Sequence, residues 1–204
     1  MGGSSKRWRS LFGAEESAPL VVAGVEITVS ATCEGLCDWG FAFSPSRDGD
    51  LISHDHQLVD GVATRSVLPP PTMGDDRFLA IDHVVVNTDN LVRTSDALEK
   101  TLGAPLRRIR DAGRGVSQGF HVVDNTVVEV VSGPHITHLG ARLWGFVVVV
   151  DDIFDFALSM GPDVMTSPRA AVQPGRFIAS VRSETGLGVP VAFMSPRVRG
   201  SEAN

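Results

Sequence analysis

The stretch Ile81–Asp82–His83–Val84–Val85–Val86 decides the fold, because it is a β-branched run that ends in an acidic turn and then a helical stripe. The turn is Asn87–Thr88–Asp89–Asn90, and the stripe is Leu91, Thr94 or Ser95, Leu98 and Leu102. A second run, Phe146–Val147–Val148–Val149–Val150, passes through Asp151–Asp152 into Ile153, Phe154, Ala157 and Leu158. Aligning Asp89 with Asp152 gives an offset of 63 residues (152 − 89). The same offset carries His83 onto Phe146. It also carries Glu129, within Val127–Val128–Glu129–Val130–Val131, onto Ala192, within Val191–Ala192–Phe193–Met194. Two strands that agree on one offset mark a duplicated unit. The first copy has metal-ligand side chains where the second has hydrocarbon.

Each copy reads as β-α-β-β-β. In the first, a strand over Phe78–Val86 leads to a helix capped by Asp89 or Asn90 and stopped by Gly103. A strand over Leu106–Ile109 follows, then a hairpin of Val116–Val123 and Thr126–Val131 about Asp124–Asn125. In the second, Leu143–Val150, a helix capped by Asp151 or Asp152 and ended at Gly161–Pro162, and strands over Arg176–Val181 and Val189–Met194 complete the set. A four-stranded sheet cannot bury both faces alone, so the copies should pack together. The expected fold is therefore α+β, with modules at 78–133 and 141–196 inside a domain spanning 77–198. Residues 1–19 read as a frayed tail. Residues 20–73 read as a β-rich appendage, with short strands about Ala23–Gly24, one over Asp38–Phe43, and a linker from Ser44 to Met73 containing Pro69–Pro70–Pro71.

Composition narrows the class. The chain has 204 residues, 43% of them hydrophobic and 21% charged, as an ordinary globular protein does. No apolar run approaches the eighteen or so residues of a membrane span. The basic start, Lys6–Arg7–Trp8–Arg9, has no apolar segment behind it, so a cytoplasmic protein is expected. A net charge of −6 argues against nucleic acid as a partner. Arg107, Arg108, Arg110 and Arg114 cluster, and a solvated strand edge accounts for them. Cys33 and Cys37 have the wrong spacing for a zinc knuckle and read as two half-buried reduced thiols.

The paired β-α-β-β-β order, the Ile-Asp-His-Val-Val-Val opening and the Val-Glu-Val-Val ending over Phe78 to Pro196 resemble the vicinal oxygen chelate superfamily. Its members include glyoxalase I, bleomycin-resistance proteins, extradiol dioxygenases and methylmalonyl-CoA epimerase. The stretches Val172–Ala179 and Val189–Met194 also look like uncharacterised bacterial glyoxalase-like proteins. The resemblance implies curved mixed sheets around a shared cleft, with one divalent metal (Mn, Fe, Ni or Zn) held by first and last strands. It places His83 and Glu129 as ligands and finds none at Phe146 or Ala192, so the metal site is partial. It implies a small-molecule ligand and a monomer or homodimer.

A third donor is needed, because catalytic metal sites use three or more protein ligands. If Asp124–Asn125 is a two-residue turn, Val123 pairs with Thr126, His121 with Val128, and Phe120 with Glu129. Glu129 then shares its face with Phe120 and Gln118, while His121 faces the helix. Gln118 is the better third donor, or else a substrate hydrogen-bonder. His54 and His56 could reach in from the appendage but read as loop residues, and His135 and His138 as surface. Phe120, Trp144, Phe146 and Phe177 are candidate aromatic walls, with core packing the plainer account of each. Arg176 and Arg182 are candidates for an anionic group, with a surface position as the plainer account. Glu129 is the candidate base if burial raises its pKa. The functional expectation is a glyoxalase-like small-molecule binder with a partial metal site. The alternatives are a metal-dependent isomerase, lyase or dioxygenase acting on vicinal oxygens, and a metal-free enzyme using His83 and Glu129 as an acid–base pair.

Overall fold

A computed structural model of the protein describes residues 3–16, 18–30, 35–41, 57–67, 70, 74–123 and 125–197. The elements are α1 (Gly3–Phe12), β1 (Val21–Val22), β2 (Val25–Glu26), β3 (Asp38–Phe41), β4 (Gln57–Val59) and β5 (Val62–Ser66). They continue with β6 (Phe78–Thr88), α2 (Leu91–Leu102), β7 (Arg108–Gly113), β8 (Val116–Val123), β9 (Thr126–Ser132) and β10 (Ala141–Val150). Last come α3 (Ile153–Met160), β11 (Arg169–Ala170), β12 (Phe177–Ser180), a 3-10 turn at Ser183–Thr185, and β13 (Val191–Met194). The chain is α+β with mixed sheets, and the order strand, helix, three strands occurs twice from β6 onward. Two compact units form: Met1–Ala31 with Pro70–Asp82 and Phe146–Asn204, and Thr32–Pro69 with His83–Gly145.

In the unit that holds His83, the strand order is β6-β9-β8-β7, with β6 and β9 parallel and the other pairs antiparallel. Asn90 caps α2 by accepting from the Arg93 amide at 3.0 Å, and Gly103 ends it at φ 63°. The helix buries Leu91, Thr94, Ser95 and Leu98. Leu91 and Leu98 join Val86, Val128 and Val130 in one apolar core. Each such side chain contributes roughly 1.5–3 kcal/mol by leaving water. The hairpin register is Val123↔Thr126, His121↔Val128 and Phe120↔Glu129, as a two-residue turn requires.

The segment expected to be a linker contains a hairpin. β4 and β5 pair across Asp60 (φ 50°) and Gly61 (φ 100°), and β3 adds to β5 in parallel. The alternation that buries Val59, Val62 and Thr64 sits inside a stretch rich in Gly, Asp and Pro, which masked it. Val59 and Val62 enter the core under α2. Arg93 then bridges Asp60 and Asp89, at 2.7 and 2.5 Å. Residues 42–56, with His54 and His56, lie outside the described residues, and so does Cys33. Cys37 is exposed and disulfide-bonded, which corrects the expectation of a half-buried thiol there.

The other unit has strand order β10-β13-β12-β11, with β10 and β13 parallel. Asp152 caps α3 through the amides of Phe154 and Asp155, at 2.9 and 3.0 Å. The stripe on α3 differs from the expected one. Ile153, Phe156 and Ala157 are buried, whereas Phe154 is 53% and Leu158 80% exposed. Spacings of three and four from Ile153 select Phe156 and Ala157, and Phe154 sits about 100° round the helix from Ile153. The frayed tail is also corrected. Trp8, Leu11 and Phe12, spaced i, i+3, i+4, are the buried stripe of α1. Trp8 stacks on Phe146 at 6.1 Å, and Phe12 meets Phe78 at 5.2 Å and Phe193 at 5.8 Å.

Candidate functional site

On β9, Val128 and Val130 point into the α2 core, so Glu129 points to the opposite face. Its Cα partners are Val85 on β6 and Phe120 on β8. His83, two residues before Val85, shares that face, as does Gln118, two residues before Phe120. The side chains meet. His83 Nε2 lies 3.7 Å from Glu129 Oε2, and Gln118 Nε2 donates to Glu129 Oε1 at 2.6 Å. The His83 and Glu129 side chains are 15% and 14% exposed. Gln118 Oε1 is buried and has no hydrogen-bond partner among the described residues. An orphaned buried carbonyl costs on the order of 1–3 kcal/mol, which makes it a candidate ligand atom.

His121 is fully buried on the helix side, with Nδ1 donating to the Ala104 carbonyl at 2.9 Å and Nε2 facing Ser95 Oγ at 2.9 Å. It is a core histidine. Phe120 lies on the face of Glu129, with the Arg108 guanidinium 4.7 Å over its ring. Trp144, on β10, is 51% exposed. Phe146 is placed differently from the wall that the sequence suggests. Val148 pairs with Phe193, which packs on Phe156 of α3 at 4.6 Å, so Phe146 shares that helix-side face and stacks on Trp8. Phe177 likewise packs on Phe154, at 4.9 Å. Arg176 is not a surface residue. Its side chain is 2% exposed, Nη1 pairs with Asp82 Oδ1 at 2.6 Å, and Nε donates to the Ser195 carbonyl at 2.8 Å. Arg182 Nε donates to the Pro162 carbonyl at 2.6 Å. His135 is exposed, but His138 is half-buried, with Nδ1 buried and unpartnered among the described residues.

The duplicated register also needs one correction. Glu129 pairs with Val85, and Ala192 pairs with Val147. Val85 therefore matches Val147, and His83, two residues earlier, matches Gly145 rather than Phe146. The offset holds on the last strands and is one residue shorter on the first, because the loop chain between paired strands is one residue longer in the second copy. Neither Gly145 nor Ala192 can hold a metal.

A strand-helix-three-strand order used twice in mixed sheets is the arrangement of the glyoxalase-like fold. Methylmalonyl-CoA epimerase from Mycobacterium tuberculosis superposes with a TM-score of 0.50 at 13% identity, over 62% of this chain and 94% of that one. A hypothetical protein from Bacillus halodurans gives 0.49 at 13% identity, over 60% and 98%. Methylmalonyl-CoA epimerase from Streptomyces coelicolor in complex with 2-nitronate-propionyl-CoA gives 0.46 at 15% identity, over 58% and 97%. These likenesses are likenesses of fold. No family model and no curated protein sequence matches the chain.

The resemblance read in the sequence implies a divalent metal, and the donors decide whether one fits. Ligand bonds of about 2.1 Å to His83 Nε2 and Glu129 Oε2 can span the gap between those atoms. The Gln118 oxygen is the candidate third donor. Among the described residues no group of three His, Cys, Asp or Glu stands together, so a third protein ligand would have to be such a neutral oxygen.

Proposed function

We propose that the protein binds a small molecule on the face of β6, β9 and β8 opposite α2, with His83, Glu129 and Gln118 as a partial metal site. The observation that carries this is the convergence of His83 and Gln118 on the Glu129 carboxylate, on a valine-rich sheet where a random glutamate would be costly. Phe120 and Trp144 supply apolar contact, and Gln118 offers its free carbonyl. Phe146 and Arg176 are left out of the binding set, because one is core and the other is committed to Asp82. A bound divalent ion would polarise two adjacent oxygens of the ligand. This chain's own contribution is to orient the ligand against Phe120 and, with no ion on the carboxylate, to take or return a proton at Glu129 Oε2. That second role is the isomerase or lyase alternative, in which His83, 3.7 Å from Glu129, faces the same ligand.

Equilibrium dialysis against Mn(II) or Zn(II), with oxalate as a bidentate oxygen probe, tests the reading. The wild type should retain metal and gain thermal stability with oxalate, by about 2.7 kcal/mol at a hundredfold excess over Kd. His83→Ala and Glu129→Gln should lose both effects while still folding. A wild type that shows neither metal retention nor a shift with oxalate overturns it.

A further inference from the structure

The basic edge of the sheet has a direction that the sequence did not reveal. Arg108 pairs with Phe120, and Arg110 pairs with Gln118, across β7 and β8. Directly paired residues share a face, so both arginines stand on the face of Gln118, Phe120 and Glu129. Arg107, whose amide bonds to the Phe120 carbonyl, precedes Arg108 and points the other way. β7 is the last strand of its ladder, and every residue of it is exposed. The Arg108 guanidinium lies over the Phe120 ring, which holds it flat on the face instead of letting it extend into solvent. The nearest carboxylate on that strand, Asp111, pairs with Ser117 and so belongs to the opposite face, where its Oδ1 accepts from the Gly113 amide.

We propose that the site takes an anionic ligand, a phosphate ester, whose phosphate rests on Arg108 and Arg110 while its oxygen-bearing end reaches Glu129. This deepens the reading given above and rests on it. The geometry sets the ligand's length. Strands lie about 4.8 Å apart, so β7 and β9 are separated by roughly 10 Å, and residues two apart on a strand by roughly 7 Å. Two guanidinium groups at that spacing can both reach the oxygens of one phosphate, and each can bind it in bidentate fashion. Phe120, paired with both Arg108 and Glu129, is the floor between the two ends. The face thus orders a cationic end, an aromatic middle and a carboxylate end along one row.

Inorganic pyrophosphate is the probe, followed by thermal shift and by titration calorimetry on the full chain. The wild type should gain stability, and raising the salt to 0.5 M should weaken binding at least tenfold. The double variant Arg108→Gln/Arg110→Gln should lose at least tenfold in affinity. Arg107→Gln, which removes half as much charge from the same edge, should change affinity less than twofold. A loss in Arg107→Gln of about threefold or more, half the double variant's loss on a logarithmic scale, would mean a diffuse field and overturn the proposal, as would no binding by the wild type. Oxalate with Mn(II) is run on the same variants. If the double variant keeps the oxalate response and the wild type shows no pyrophosphate binding, this proposal fails and the His83–Glu129 site stands. If the wild type binds pyrophosphate through Arg108 and Arg110 but never responds to oxalate, the anion site stands and the metal reading fails. Acetate at matched ionic strength should give no shift, and a shift equal to that of pyrophosphate would replace phosphate by carboxylate and overturn the assignment.

Discussion

The two four-stranded ladders share an element order and a helix-capping device, yet they carry opposite chemistry. β6-β9-β8-β7 presents His83, Glu129, Gln118 and two arginines on the face away from its helix. The matching places on β10 and β13 are Gly145 and Ala192, and that unit has an aromatic core of Phe78, Phe156 and Phe193 joined by Trp8 and Phe12. One ladder gathers polar side chains on that face, and the other has put its side-chain volume into packing. Each ladder also gains an added element: α1 packs into the aromatic core of one, and Val59 and Val62 of the β4–β5 hairpin enter the core under α2 in the other. Two ladders of one topology can therefore carry different side-chain chemistry.

The largest expected effect tests the packing half. Phe193 is fully buried and meets Phe12, Phe78 and Phe156, so Phe193→Ala should cost about 3–5 kcal/mol. At 2–4 °C per kcal/mol for a chain of this size, the melting midpoint should fall by roughly 10 °C. Trp8→Ala should cost nearly as much, because Trp8 is buried, stacked on Phe146, and hydrogen-bonded through Nε1 to the Leu187 carbonyl at 3.3 Å. A loss below 1 kcal/mol in urea melts would show that α1 is a tail after all. The corresponding truncations in the other ladder should be read against this scale.

Arg176 and Asp82 come next. Removing one member of a buried ion pair leaves the other charge uncompensated, so Asp82→Ala should cost about 3–5 kcal/mol. The double variant Asp82→Leu/Arg176→Met should recover most of that loss. Denaturant melts of the three variants decide it, and additive losses would mean that the pair is not coupled. Asp82 directly precedes His83 in the chain, so the single variant should also disturb oxalate binding, whereas the double variant should disturb it less.

The parts that were legible in the sequence follow period-two or period-three-to-four patterns with clean ends. α2 could be read because Asn90 and Gly103 bracket a regular stripe, and the β8–β9 register because one turn fixes which residues face each other. From that register Gln118 and Glu129 could be placed on one face and His121 on the other. What could not be read involved partners distant in the chain. Arg176 looks like a surface residue until Asp82, 94 positions away, is placed beside it. Trp8 falls in the stretch that reads as a frayed tail, because its partners Phe146 and Leu187 lie at the far end of the chain. Arg108 and Arg110 were legible in principle, since one more step of alternation across β7 places them with Gln118. The helix stripe on α3 was misread because Phe154 and Leu158 are as apolar as the residues that the core selected.

The polar half should respond in binding more than in stability. Glu129→Gln keeps the shape and the acceptor facing Gln118, so its stability cost should stay below about 1.5 kcal/mol, the size of one net hydrogen bond. Oxalate-dependent stabilisation should nevertheless vanish. Phe193→Ala should show the reverse pattern in the same two assays. If Glu129→Gln unfolds the chain instead, the two ladders differ less than proposed, and the trio is a structural network.

The smallest effect concerns the clasp between the β4–β5 hairpin and α2. The Arg93 hydrogen bond holds the Asp89 carboxyl below its ordinary range, aided by the Gly140 amide at 2.9 Å. A carboxylate with a depressed folded pKa adds stability above its ordinary pKa and loses it as the pH falls through the folded value. The clasp should therefore be intact at neutral pH and should loosen only under acid conditions, below the usual carboxylate range. Asp89→Asn removes this dependence and should flatten the acid limb of the stability curve slightly, while leaving the neutral-pH midpoint within a few degrees of wild type. Arg93 is exposed and salt-screened, so 0.5 M NaCl should shrink the difference further. The unit that carries the polar trio would then have an acid-sensitive edge far weaker than the aromatic core of the other, measurable as earlier amide exchange in α2 than in α3 when the pH is lowered.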